Sequence, residues 1–117
     1  MMNINQIQDN IIYTQATGTL TKEDYEKLLP VLKLLLEKHE KIRWLFSMED
    51  FTGWEPVALW KDLQFDIKHV NDFEKIAMVG EKEWQKWLTN IMKPFTPAEI
   101  LFFEVADREA ALKWIKE

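Results

Sequence analysis

Cysteine is absent from this chain of 117 residues, which excludes disulfides, thiolate metal sites and cysteine nucleophiles. Glycine is scarce: three in total are too few for a phosphate-cradling loop or a dinucleotide fingerprint. Serine occurs only as Ser47, and nothing around it resembles a nucleophile elbow. Long apolar runs are missing too. The most apolar stretch, Leu28 to Leu36, is interrupted by Pro30 and Lys33 and falls far short of the roughly 20 residues that cross a bilayer. Met1 to Gln6 has neither a charged n-region nor an apolar h-region, so no export signal is expected. Positive charge is not in excess. The net charge is −5 with the two signs interspersed, and no basic stripe tracks a phosphate backbone. The expectation is a cytoplasmic protein with no nucleic-acid partner and no membrane insertion.

Bulky apolar side chains are abundant. Hydrophobic residues make up 47% of the chain, with six tryptophans and seven phenylalanines among them, enough for one core and incompatible with intrinsic disorder. No linker, repeat or low-complexity segment divides residues 1–117, so a single domain is expected.

The apolar period switches repeatedly along the chain. Met1–Ile7 and Ile11–Thr17 read as strands of a hairpin turned at Asp9-Asn10, and Gly18 breaks the second. Thr21 fits an N-cap with Asp24 three positions on. Tyr25, Leu28, Leu29, Leu32, Leu35 and Leu36 then line one face of a helix running to about Glu40, which Pro30 should bend near Glu26. Ile42–Ser47 is a third strand, Met48–Glu55 a loop, and Pro56 suits the first turn of a second helix. Val57, Leu59, Trp60, Leu63, Ile67 and Val70 supply that helix's buried face. Lys75–Val79 is a strand ended by Gly80, and Trp84, Trp87, Leu88, Ile91 and Met92 recur at helical spacing until Pro94. Ile100–Val105 is the last strand, before a helix capped by Asp107 that buries Ala110, Ala111, Trp114 and Ile115. The order β-β-α-β-α-β-α-β-α implies an α/β fold with a mixed, mostly parallel five-stranded sheet.

Several of these residues resemble the SpoIIAA-like family of the STAS superfamily. The likeness is carried by Gly18-Thr19-Leu20-Thr21-Lys22-Glu23-Asp24-Tyr25-Glu26-Lys27 with Pro30, and by Gly53-Trp54, Ala58, Trp60, Asp62, Phe65, His69 and Phe73. Lys75-Ile76-Ala77-Met78-Val79-Gly80, Phe102-Phe103, Ala110, Ala111 and Trp114 complete it, over nearly the whole chain. The resemblance implies a β-α superhelical sheet with strands added roughly in sequence order. The wider superfamily includes anti-sigma-factor antagonists, in which a serine of an Asp-Ser-Ser-Gly motif after the third strand is phosphorylated. The matching stretch here is Asp50-Phe51-Thr52-Gly53, where Phe51 stands at one serine position and Thr52 at the other.

No nucleophile–base–orienter set emerges, so an enzyme is not expected and no cofactor is implied. Asp62, Asp66 and His69 fall within a sector of about 60° on the second helix, but a solvated acidic face explains them better than a metal site. Phe65 points about 160° away from Ile67 and Trp60, with Ala58 and His69 flanking it, and Leu34 lies off the first helix's apolar arc. A second apolar spot on two helices suggests a homodimer seam, a protein partner or a small apolar ligand, with Asp62 and His69 as a polar rim. Trp54 either plugs the end of the sheet or stands at the mouth of a pocket there. The expected function is a non-enzymatic binding module, with a phosphorylation-controlled regulator using Thr52 as the alternative.

Overall fold

Asp9 takes a left-handed backbone angle (φ 54°), and with Asn10 it makes the tight turn that joins two antiparallel strands. These are β1 (Met2–Gln8) and β2 (Ile11–Ala16). The computed structural model describes residues 1–56 and 71–117. The expected buried face from Val57 to Val70 lies outside the described residues, as do Ala58, Asp62, Phe65, Asp66 and His69.

Gly18 does more than end β2. Its φ of 60° turns the chain into a short strand, β3 (Gly18–Leu20), which leads directly into α1 (Lys22–Lys38). After β4 (Ile42–Ser47), the segment expected to be a loop contains β5 (Phe51–Trp54), which pairs in parallel with β3. The two short strands form a separate ribbon beside the main sheet. The chain continues through β6 (Phe73–Gly80), α2 (Glu83–Met92), β7 (Glu99–Glu104) and α3 (Arg108–Lys116).

The main sheet has five strands in the order β1-β2-β4-β6-β7, and every neighbouring pair after the hairpin is parallel. The mixed, mostly parallel α/β sheet read from the sequence is therefore the fold. Each parallel step moves in the same direction, and right-handed crossovers then place α1 and α2 on one face. On that face Leu28, Leu32 and Leu35 of α1, with Met92 of α2 at the margin, pack over Ile12, Trp44, Phe46, Ile76 and Met78. The alternate residues Ile11, Tyr13, Leu45, Ala77 and Val79 form the opposite face under Ala111 and Ile115 of α3. Ala110, expected in this core, is exposed, and Trp114 is half-buried, because the inward row of α3 runs through Ala111 and Ile115 four residues apart. Two strand cations hold the end of α3: Arg43 donates to the Ile115 carbonyl (2.8 Å), and Lys75 donates to that of Trp114 (3.3 Å). Both meet the negative end of the helix dipole.

The α1 start is fixed by a capping box. The Thr21 hydroxyl accepts from the Asp24 amide, while the Asp24 carboxylate accepts from the Thr21 amide at 2.8 Å. Burial alone would raise the Asp24 pKa. The Thr21 amide and hydroxyl, the nearby N-terminal charge and the Met2 amide outweigh that and hold it below its ordinary value. A lowered carboxylate pKa stabilises the fold fully above the ordinary value of 3.8, and that stabilisation is lost as pH falls through the lowered one. Asp24→Asn should therefore cost about 1 kcal/mol in chemical denaturation at pH 7, and the gap to wild type should close as the pH falls below 3.8. A gap that stays constant into acid would remove the carboxylate charge from this account.

Candidate binding face

The carboxyl ends of β4 and β6 are joined where the Met48 amide donates to the Val79 carbonyl (2.7 Å). The chain then turns through Asp50, whose φ of 58° is unusual for a residue with a side chain, and enters β5. Phe51 of β5 is fully buried, with its ring 6.1 Å from that of Phe46, 5.0 Å from Trp54 and 6.0 Å from Trp84 of α2. The Trp54 indole donates to the Tyr25 hydroxyl on α1 (2.8 Å) and lies 6.5 Å from Trp84. An aromatic row thus runs from α1 through β5 to α2 across the strand ends. Trp54 is half-buried within it, packed into the sheet end.

One polar side chain holds this end together. Gln85, in the first turn of α2, is fully buried. Its Oε1 accepts from the amides of Glu81 (3.0 Å) and Lys82 (3.3 Å), and its Nε2 donates to the carbonyls of Met48 and Phe51, each at 3.4 Å. Thr89, one turn on, is also buried and donates to the Gln85 carbonyl (2.8 Å). The fit is close: a Cβ at Gly80 would stand 2.3 Å from Gln85 Oε1. Glu81 adds a further tie by accepting from the Asp50 amide (3.1 Å).

The consequence for α2 differs from its sequence pattern. Its apolar residues form one stripe, as expected, but the buried positions are Gln85 and Thr89, with Leu88 and Met92 half-buried beside them. Trp84 is 37% exposed, Ile91 41% and Trp87 63%. At about 100° per residue, the centre of the apolar stripe lies roughly 80° from the centre of the buried arc. The helix is rotated away from the register its apolar side chains alone would choose. A glutamine three residues after a helix N-cap is the spacing of a capping box, and that was the only sequence sign of its role.

The other expected site residues that are described, Leu34 and Thr52, lie on different elements. Leu34 is 56% exposed on the outer side of α1, as its position on the wheel required. Thr52 is exposed on β5, not at a helix start, and its hydroxyl is 2.9 Å from that of Thr19. Phe65, Ala58, Asp62 and His69 lie outside the described residues. Among the described residues no three histidine or acidic side chains gather to hold a metal ion, and no helix is long and apolar enough to cross a membrane. Asp24, whose pKa is lowered, caps α1; Tyr13, whose pKa is raised by burial, lies on the sheet face beneath α3. Neither belongs to the aromatic row.

Known proteins agree with this architecture. The SpoIIAA-like family model matches residues 11–116. An uncharacterised protein of the DUF3478 family from Shewanella loihica PV-4, with a SpoIIAA-like fold, shares 35% identity at a TM-score of 0.82. The match covers 98% of this chain and 92% of that one. No curated protein matches the sequence.

Trp54→Phe keeps a ring in the row but loses the hydrogen bond to Tyr25, which should cost about 1 kcal/mol in a urea melt. Trp54→Ala should cost about 3 kcal/mol or more, since it also empties the space against Phe51 and Trp84. Equal, negligible losses would mean that Trp54 does not plug the sheet end.

Proposed function

The chain belongs to the SpoIIAA-like family, and we propose that it is a non-enzymatic, STAS-type binding module that engages a protein partner or a small apolar ligand through the outer face of α2. The observation that carries this reading is the exposed row Trp84, Trp87 and Ile91. Their i, i+3, i+7 spacing aligns three large apolar side chains on one flank of one helix. Single exposed apolar residues are ordinary, but an aligned set of large ones marks a surface that is covered in use. A second copy of the chain is the simplest protein partner, because a homodimer needs only one self-complementary patch.

The chemistry around the row suits binding rather than catalysis. Glu81, Lys82 and Gln85 spend hydrogen bonds on backbone groups that hold the strand ends. The acidic Glu49 is paired with Arg108 at 2.6 Å. A second reading, a regulator switched by phosphorylation at Thr52, is supported by the exposure of that side chain on β5. A phosphate there would replace the Thr19–Thr52 hydroxyl contact with two negative charges.

One sedimentation series separates the two. With the wild-type chain self-associating at micromolar concentration, Trp87→Ser combined with Ile91→Ser should yield monomers while shifting unfolding stability by only about 0.5 kcal/mol, as surface substitutions do. Thr52→Glu should leave the assembly unchanged if α2 is the binding face, and should dissolve it if Thr52 is the switch. A wild-type chain that sediments only as monomer, and whose fluorescence with an apolar dye is indifferent to the α2 substitutions, would overturn the binding reading.

A further inference from the structure

The rotation of α2 has an identifiable cause. Five apolar residues on this helix favour one register, and the structure shows another, with Gln85 and Thr89 inward and Trp84, Trp87 and Ile91 outward. Burying an amide instead of a tryptophan is favourable only where the amide satisfies groups that water cannot reach. Gln85 meets that condition at the carbonyls of Met48 and Phe51, where its hydrogen bonds are buried. Its side chain serves two amides of the β6–α2 turn and two carbonyls of the β4–β5 turn. Rotating α2 toward its apolar register would draw this side chain out and take a hydrogen bond from each of those four groups, the Phe51 carbonyl keeping Lys82 Nζ at 3.5 Å.

We infer that Gln85 is a register pin: it selects, between two rotational settings of α2, the one that displays Trp84, Trp87 and Ile91. Gly80 is the second part of the device, because its missing side chain is the space Gln85 Oε1 occupies. The pin also joins two places. The amide that sets α2 is bonded to the carbonyl of Phe51 on β5, next to Thr52. The inference rests on the reading of α2 as the binding face but concerns how that face is held outward, and the two can fail separately.

Tryptophan indole N–H signals, recorded on the full chain labelled with 15N-tryptophan, provide the test, with a soluble gadolinium chelate as the surface probe. Substituting Trp84 and Trp87 singly by Phe assigns their signals. In the wild-type chain the chelate should broaden Trp87 several-fold more than the buried Trp44, whose indole donates to Thr14. In Gln85→Leu, with its polar pin removed, the broadening of Trp87 should fall toward that of Trp44. Gly80→Ala leaves the pin in the sequence but fills its seat, and should move Trp87 in the same direction. Unchanged broadening in both folded variants would overturn the inference, as would a Trp87 already protected in the wild type. Failure of both variants to fold would overturn it as well, since Gln85 would then be an indispensable tie instead of a selector. If self-association is lost on α2 substitution while Trp87 is indifferent to Gln85, the binding reading stands and the pin falls.

Discussion

A buried side-chain amide at the carboxyl end of the sheet is the interaction on which the register of α2 and the aromatic row beside it depend. When the chain leaves β4 it turns sharply at Asp50, and the carbonyls of Met48 and Phe51 on either side of the turn accept from the buried Gln85 side chain. When it leaves β6 it turns again, and the amides of Glu81 and Lys82 precede the first turn of a helix, where donors are unsatisfied by construction. An amide side chain carries both donor and acceptor, so Gln85 meets both needs at once. No apolar residue of similar volume does so.

Other features follow from that choice. Gly80 has to be glycine for space, not for its backbone angle. α2 has to present its first turn to the strand ends, which turns its large apolar residues toward the flank. Trp84, carried along, meets Phe51 and Trp54, and Trp54 reaches Tyr25 on α1. The aromatic row therefore ties α1 and α2 to the same short ribbon of β3 and β5. The opposite face of the sheet is independent of this arrangement. There α3 is held by Arg43 and Lys75 at its carboxyl end, and Arg43 is in turn paired with Glu74.

Much of the fold was legible because local signals and tertiary packing agree. The Asp9-Asn10 turn, the Thr21–Asp24 capping box and the short apolar run of β6 ended by Gly80 each specify one conformation, and the strand order follows from parallel crossovers. The strands β3 and β5 were not legible. Three and four residues are too few to show a period; Gly18 read as a breaker and Gly53 as part of a loop, while in fact both shape the ribbon. The register of α2 was not legible for a different reason. A hydrophobic stripe indicates the buried face only when nothing polar on the helix has a stronger claim to the interior, and the claim of Gln85 comes from carbonyls more than thirty residues away in sequence. The face around Phe65 lies outside the described residues, whereas Leu34 stands exposed as its wheel position indicated.

Amide hydrogen exchange of Glu81 and Lys82 reads this claim most directly, because both amides donate to the Gln85 side chain. If the side chain holds the strand ends as described, both amides should exchange as slowly as those inside β6, and should lose that protection together in Gln85→Leu. Exchange of both at the rate of an unstructured turn in the wild-type protein would contradict the account at its centre.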